Sequence, residues 1–482
     1  MDFQTVIGLE VHAQVLTQSK MFSDCPVPDP SSTPNSTVDP VSLGLPGTLP
    51  TVNRTAVEKT IMTGLALGCQ VPEATRFDRK NYMYPDLMKG YQISQYELPL
   101  AVGGHLEFDH DGDRRSIGIT RVHLEEDTAR LAHVETGNGT HSLVDVNRAG
   151  VPLMEIVSDP DMTSPSEART YLIALRQILR YIGASTGNMD EGAFRVDANV
   201  SIRSVDGSIV GPKIEVKNMN SFRSVERALD YEVRRQREAI ENGETLVQET
   251  RGWVEDRQVT VSQRTKEYAE DYRYFPEPDL PPLVVEADWV ASIRASTAEL
   301  PAARRSRFVT EYQISESDAV ILTEEPEVAD YYEELVRLTG GLSDDSAKWV
   351  TGELFALART RGGFRDINVD PSVVAEVIQL VDGGDVTLRT AKEVFAEAAE
   401  TGEAPTSIVD SRGLSQVSDT DLIGTVALEV IQENPDAVED YRSGRKQAIG
   451  FLIGQSMRKL RGAGNPDIVR EELVRILEAD IE

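Results

Sequence analysis

Strict alternation of apolar and polar side chains recurs through roughly the first 290 residues, and it leaves few folds open. In VIGLEVHAQV, residues 6–15, Ile7, Leu9, Val11, Ala13 and Val15 alternate with Gly8, Glu10, His12 and Gln14. A period of two sends each set to its own side of a strand. The segment therefore predicts a half-buried strand whose second face carries a carboxylate, an imidazole and an amide. The same parity groups Arg121, His123 and Glu125 in GITRVHLEED, with Glu126 following, and Asp145 with Asn147 in SLVDVNRAG. It also groups Arg195, Asp197, Asn199, Ser201 and Arg203 in RVDANVSIRS, and Lys213, Glu215 and Lys217 in KIEVKN. Glu155 stands among hydrophobes in VPLMEIVS.

EFDHDGDRRSIGI, HVETGNGTHSLVDV and SIRSVDGSIVGPKIEV each set Gly, Asp or Asn between alternating runs, which is hairpin chemistry. A large antiparallel sheet follows. TSPSEARTYLIALRQILRYIG predicts a helix with Ser164 as cap, Pro165 in the first turn, Glu167 completing a capping box, and Leu172, Leu175, Leu179 and Ile182 on one stripe. A second helix begins near NSFRSVERALDYEVRRQREAI, with Val225, Leu229 and Val233 at four-residue spacing. Both amphipathic helices are expected to cover one face of the sheet and leave the other free for chemistry. The proline-rich FPEPDLPPLVV, residues 275–285, breaks any regular element and marks a domain exit. The expectation is an α+β chain: a large antiparallel-sheet domain over 1–292, a helical domain over 293–405, and a helical tail domain over 406–482.

Carboxylates with one or two histidines and no cysteine cluster favour Mg²⁺ or Mn²⁺ over structural zinc. Neighbouring Arg and Lys suit polyphosphate, whose charge a metal and cations share during phosphoryl transfer. For any single strand, the solvated outer face of an antiparallel sheet remains the alternative. There is no GxxxxGK[ST] loop and no G-x-S-x-G elbow, and neither Cys25 nor Cys69 sits in a nucleophile setting. No apolar run approaches a membrane span, so a soluble cytoplasmic protein is expected. With 80 acidic and 49 basic residues the net charge is −31. An excess spread along the whole chain reads as a halophile's, since molar salt shortens the Debye length to about 3 Å. The densest basic patch, YRSGRKQAIGFLIGQSMRKLRG, offers Arg442, Arg445, Lys446, Arg458, Lys459 and Arg461 to a phosphate backbone.

Long ordered stretches resemble one family, the B subunits of the aspartyl/glutamyl-tRNA amidotransferases. They are IGLEVHAQV, FDRKNYMYPDLMKGYQISQ, LEEDTARLAHV, VDVNRAGVPLMEIVSDPDM, GNMDEGAFRVDANVSIR, EVKNMNSFRSVERALDYEVRRQ, QETRGW and DYRYFPEPDLPPL, with GRKQAIGFLIGQSMRKLRGAGNP near the end. The resemblance implies a cradle related to glutamine synthetase and a tail that contacts tRNA. It also implies an amidase A subunit that releases ammonia from glutamine and a small C subunit that holds the pair together. The B subunit would use ATP and Mg²⁺ to phosphorylate the side-chain carboxylate of a misacylated tRNA, and ammonia would displace the phosphate.

Matched by motif, the resemblance assigns His12, Glu126 and Glu155 to one Mg²⁺. Glu10, Glu125, Glu191 and Glu215 form a second group for another cation or for orienting roles, Glu10 and Glu125 being the catalytic candidates. Strand parity groups Glu125, not Glu126, with His123, which leaves exchange of the two roles open. Lys80 is a phosphate partner and catalytic candidate, and Asn147, Arg148 and Lys217 are further candidates for holding nucleotide. Where many relatives carry four zinc-binding cysteines, this chain has Ser23, Cys25, Asp39 and Ser42. No zinc is expected there, and the 23–46 loop should be held by packing and its prolines. The competing readings are a non-catalytic tRNA-binding adaptor and the archaeal E subunit, whose extra domain finds no room between 290 and 405.

Overall fold

The computed structural model describes residues 3–136, 139–205, 210–265, 272–415, 420–460 and 464–479. The chain divides into two compact units between Pro301 and Ala302.

The first unit is built on an eight-stranded sheet. From one edge to the other its strands are Val259–Thr265, Glu249–Val254, Ile214–Lys217, Phe194–Ser204, Phe3–Gln14, Pro152–Ser158, Asp113–Glu126 and Ala101–His110. Every neighbouring pair is antiparallel except Ile214–Lys217 with Glu249–Val254. The opening segment is thus a central strand. Its odd-numbered set from Ile7 to Val15 is at most 2% exposed, which is what a buried face of period two requires.

The expected helices span Pro165–Tyr181 and Phe222–Glu241. Ser164 caps the first by accepting the Glu167 N–H at 3.1 Å. Glu167 turns back one residue further than a simple box, accepting the Thr163 N–H at 2.7 Å and pairing with Arg115 at 2.5 Å. Leu172, Leu175, Leu179, Val225 and Leu229 are fully buried in one core with the apolar face of the sheet. The helices therefore cover one face, as expected.

All three predicted hairpin segments pair antiparallel, at 101–126, 130–145 and 194–217. The first turns at Asp111 and Gly112, both at positive φ (51° and 88°), a two-residue geometry that matches strand twist. The second departs from expectation: Arg130–Thr136 and Gly139–Asp145 form their own two-stranded sheet, so Asp145 does not join the main polar face. The proline-rich segment is also more than an exit. Phe275–Pro276 pairs with Asp78 and Arg79, and Leu283–Val284 pairs with Ala74 and Thr75.

The 23–46 loop is pinned by charge as well as by packing. The fully buried Lys20 lies 3.6 Å from Asp39 and donates to the Thr37 carbonyl at 2.9 Å. Asp39 accepts the Ser42 hydroxyl at 2.5 Å, and the Cys25 carbonyl accepts the Lys20 N–H at 2.8 Å. An ammonium thus sits among the positions where cysteines were sought, a feature the sequence reading missed.

The named elements of the second unit are all helices among its described residues. One apolar core gathers residues between Phe308 and Val409, and another gathers residues between Ile423 and Leu477. No helix among the described residues is long and apolar enough to cross a membrane.

Candidate active site

Strand register assembles the polar face row by row. Arg195 lies opposite His12, His12 opposite Glu155, and Glu155 opposite His123, so one line crosses four strands. The next row runs Asp197, Glu10, Val157, Arg121. The face opens into a cavity of about 460 Å³. Another wall comes from the short strands Asp78–Asn81 and Tyr91–Ser94, from Tyr82 just after the first, and from residues 272–274, which together contribute Lys80, Tyr82, Gln92, Ser94, Tyr272 and Tyr274.

At the centre His12 Nε2 lies 3.4 Å from Glu155 and 3.7 Å from Glu125. His123 Nε2 lies 3.2 Å from Glu155, while Arg121 Nε is 3.3 Å from His123 Nδ1. As a hydrogen bond, that contact leaves Nε2–H aimed at Glu155. Ser94 donates to Glu125 at 2.9 Å, fixing the second carboxylate from across the cavity. Burial works against charge on Glu155, yet His123 and His12 hold its carboxyl well below the ordinary range. Burial would likewise lower the His12 pKa, but Glu155, Glu125 and Asp197 raise it to about 9. One donor atom each from His12, Glu125 and Glu155 lies within 4.8 Å of the others. One imidazole nitrogen and hard carboxylate oxygens form a donor set suited to a divalent cation such as Mg²⁺ or Mn²⁺.

Cations face these acids. Lys80 is packed at 4.9 Å over the Tyr272 ring. Burial opposes its charge, but Tyr274, Glu125 and Glu155 raise its pKa above the ordinary lysine value. Lys217 pairs with Asp197 at 2.5 Å and lies 3.6 Å from Glu215; burial opposes its charge too, and these acids more than offset it. Glu10 accepts the Asn199 amide at 2.8 Å, and Glu215 accepts the Thr250 hydroxyl at 2.6 Å.

Of the candidates read from sequence, the cavity brings together Glu10, His12, Lys80, Glu125, Glu155, Glu215 and Lys217. It does not include Glu126. That side chain points to the other side of its strand, pairs with buried Lys89, and accepts the Ile93 N–H at 2.9 Å. Parity explains the placement: Glu125, two residues after His123, shares the histidine's face. Glu191 is exposed in the turn before the Phe194 strand. Asn147 and Arg148 lie in a short 3-10 turn, where their donors are spent on the chain itself. Asn147 donates to the Thr33 carbonyl at 2.8 Å, and Arg148 donates to the Thr128 and Ala129 carbonyls at 2.9 and 3.0 Å. In the second unit Arg442, Arg445, Lys446, Arg458 and Lys459 are exposed, and Arg461 lies outside the described residues.

Asp127, Thr128, Gln95 and four tyrosines, Tyr82, Tyr96, Tyr272 and Tyr274, also line the cavity and were not singled out from sequence. The available signal was the i, i+2 spacing of Lys80 with Tyr82 and of Tyr272 with Tyr274, at and beside strands too short to show a period.

The family model described as the GatB/GatE catalytic domain matches residues 5–291, and one described as the GatB domain matches residues 330–477. A protein of Thermomicrobium roseum, named as the B subunit of an aspartyl/glutamyl-tRNA(Asn/Gln) amidotransferase, is 57% identical, covering 100% of both chains. Proteins of the same name are 50% identical in Dehalococcoides mccartyi, covering 99% of both chains, and 49% identical in Herpetosiphon aurantiacus, covering 99% of this chain and 100% of that one.

Proposed function

Because the chain belongs to the family of aspartyl/glutamyl-tRNA(Asn/Gln) amidotransferase B subunits, we propose that its cavity activates the side-chain carboxylate of a misacylated Asp-tRNA(Asn) or Glu-tRNA(Gln) with ATP. The observation that carries this reading is the meeting of the His12, Glu125 and Glu155 donor set with Lys80 and Lys217 in one cavity. A carboxylate resists amidation because oxide is a poor leaving group, whereas an acyl phosphate carries a good one. The protein's task is then to position the reactants and neutralise charge. Ammonia supplied by a partner glutaminase attacks the acyl carbon, and phosphate leaves with the bonding electrons.

Mg²⁺ held by His12, Glu125 and Glu155 would supply positive charge to the polyphosphate. Lys80, its ammonium kept protonated by Glu125, Glu155 and the tyrosines, meets phosphate oxygens. Glu10 and Glu215, fixed by Asn199 and Thr250, orient the substrate or a second cation. Lys217 bridges Asp197 to the anionic ligand. The cradle is held to be akin to glutamine synthetase, and the helical and tail domains to span 293–405 and 406–482. Arg442, Arg445, Lys446, Arg458 and Lys459 meet tRNA phosphates. The working assembly is a cytoplasmic heterotrimer with an amidase A subunit and a small C subunit, and the −31 charge is tolerated in a salt-rich cell.

The test is the amino acid recovered from tRNA after the chain and its A and C partners meet glutamine, ATP, Mg²⁺ and one misacylated tRNA in high KCl. Asparagine or glutamine is expected only with ATP, and the productive tRNA identifies the substrate. Bound tRNA with neither amide formed would replace the enzyme by an adaptor. Unfolding of the chain on dilution of salt is the corresponding test of the halophile reading.

A further inference from the structure

Arg195 stands at the end of the central row, directly opposite His12 in register, so its side chain rises from the same face as the imidazole. Its Nη2 lies 2.9 Å from Asp127 Oδ1. Asp127 is 3% exposed and is held from other sides as well. The Gln14 amide donates to Oδ2 at 2.9 Å, the Thr128 N–H donates to Oδ1 at 2.9 Å, and Arg148 lies 3.5 Å from Oδ1. The carboxylate therefore has little freedom to follow a moving partner.

Two guanidinium groups share this one carboxylate, and they use their remaining donors differently. Arg148 gives its own to the carbonyls of Thr128 and Ala129. Among the described residues the ion pair of Arg195 is with Asp127, while Glu125 and Asp197 add to the field around it, and 33% of its side chain stays exposed at the cavity wall. The surplus positive charge of the trio consequently faces the cavity through Arg195. A guanidinium is a planar fork of donors that matches two oxygens of one phosphoryl group, and it is less strongly hydrated than an ammonium.

Resting on the activity proposed above, we infer that Arg195 contacts the phosphoryl group in flight between ATP and the substrate carboxylate, and that Asp127 is the positioning residue that holds it there. In that step a bond forms from the carboxylate oxygen to the terminal phosphorus. The bond from that phosphorus to the bridging oxygen breaks, and its electron pair leaves with ADP. Charge gathers on the three equatorial oxygens. Arg195 binds two of them from the side of His12 away from Glu155, opposite the acids that would hold the cation. A preorganised donor of this kind stabilises the transition state more than either substrate.

The test uses the complete complex with its partner subunits, Asp-tRNA(Asn) or Glu-tRNA(Gln), ATP, Mg²⁺ and glutamine. A wild-type complex without ATP-dependent amidation would defeat the parent reading and is distinct from every variant result. Arg195→Ala is expected to lower kcat on the order of 100-fold, with the KM for tRNA and the partner's glutaminase rate unchanged, Arg148 remaining beside Asp127 as its counter-charge. Guanidinium at about 10 mM should recover a tenth or more of the lost rate, whereas equal ethylammonium should not. Arg195→Lys keeps the charge without the fork, and roughly a tenfold loss is expected. Asp127→Asn should lower kcat without guanidinium rescue, because the tethered guanidinium is still present but no longer aimed. If both Arg195 variants keep wild-type kcat, the assignment is overturned. It is equally overturned if their whole effect lies in the KM for tRNA, since the guanidinium would then hold RNA or the substrate carboxylate.

Discussion

Across the eight-stranded sheet, charged side chains meet because hydrogen-bonded registers bring distant residues into one row; on the helices between Arg442 and Lys459 they gather because they are close in sequence. His12 and Glu125 come from strands far apart in the chain, and the side chains of the central row's His12, Glu155 and His123 are 20% exposed or less. Arg445 pairs with Asp440 five residues away, with side chains 75% and 48% exposed. Water screens the second kind of pair and leaves the long side chains free to exchange partners. In the first kind each charge depends on a fixed neighbour, so removing one strands another in a low-dielectric site. The difference teaches where single substitutions should act: on chemistry and folding in the cavity, on long-range attraction at the tail.

The largest effect that could break this contrast is at Glu155, which lies within 3.4 Å of both His12 and His123. Glu155→Gln should lower ATP-dependent amide formation more than about 100-fold, read as amide recovered from tRNA. If activity survives, the central row is only a polar outer surface. Glu125 and Glu126 sharpen the same point, since they are adjacent in sequence and face opposite sides. Glu125→Gln should lower activity and Mg²⁺ affinity, with some loss of stability because His12 and Lys80 lose a counter-charge. Glu126→Gln should spare turnover but leave buried Lys89 without its counter-charge, lowering stability by about 3 kcal/mol in denaturant melts. Reversal of that pattern would restore the motif-based assignment of Glu126.

Lys20 and Asp39 ask whether burial has its stabilising consequences outside the cavity as well. Lys20→Met should lower stability by about 3 kcal/mol, because Asp39 keeps its charge in a site where its side chain is 9% exposed. Burial opposes ionisation of Asp39, but the Ser42 hydroxyl and N–H and then Lys20 hold its carboxyl below the ordinary range. A depressed carboxyl contributes stability that is fully present above its unfolded value, near 4, and lost as pH falls through the folded one. Wild type should therefore lose stability more steeply than Asp39→Asn as pH drops below about 4, and parallel acid melts would show the pair to be inert.

Much of the polar face was legible because a strand's period of two is indifferent to tertiary context. It placed Glu10, His12, Glu125, Glu155, Glu215 and Lys217 on one side, and it set Glu125 apart from Glu126, to which the resemblance gave the metal. Legibility ended where periodicity ended. Glu191 sits in a turn, and Asn147 and Arg148 are consumed by backbone carbonyls that a sequence does not locate. The 139–145 run alternates correctly, yet it pairs only with its own hairpin partner, because alternation does not name the neighbouring strand. Asp127, just beyond the end of the Asp113–Glu126 strand, is found only once Gln14, Arg148 and Arg195 have been brought to it.

The smallest effects are expected at the tail, and they separate two exposed lysines in different company. Lys459 lies 2.9 Å from Glu429 and 2.7 Å from Glu433, so a tRNA phosphate must compete with two carboxylates for it. Lys446 begins a short 3-10 turn on the exposed stretch after Gly444. Each lysine that neutralises a phosphate releases condensed counterions, and losing one such contact lowers the slope of log affinity against log salt by roughly 0.7 to 0.9. Lys446→Gln should show that loss, with amidation at saturating tRNA and the melting temperature unchanged. Lys459→Gln should change the slope less, since the acids already neutralise its charge before tRNA arrives. Equal slopes for both variants and wild type would remove this surface from the tRNA path. Equal losses would mean that tRNA displaces Glu429 and Glu433 as readily as it displaces water, and that even at the tail the local pairs do not decide which cations meet the phosphate.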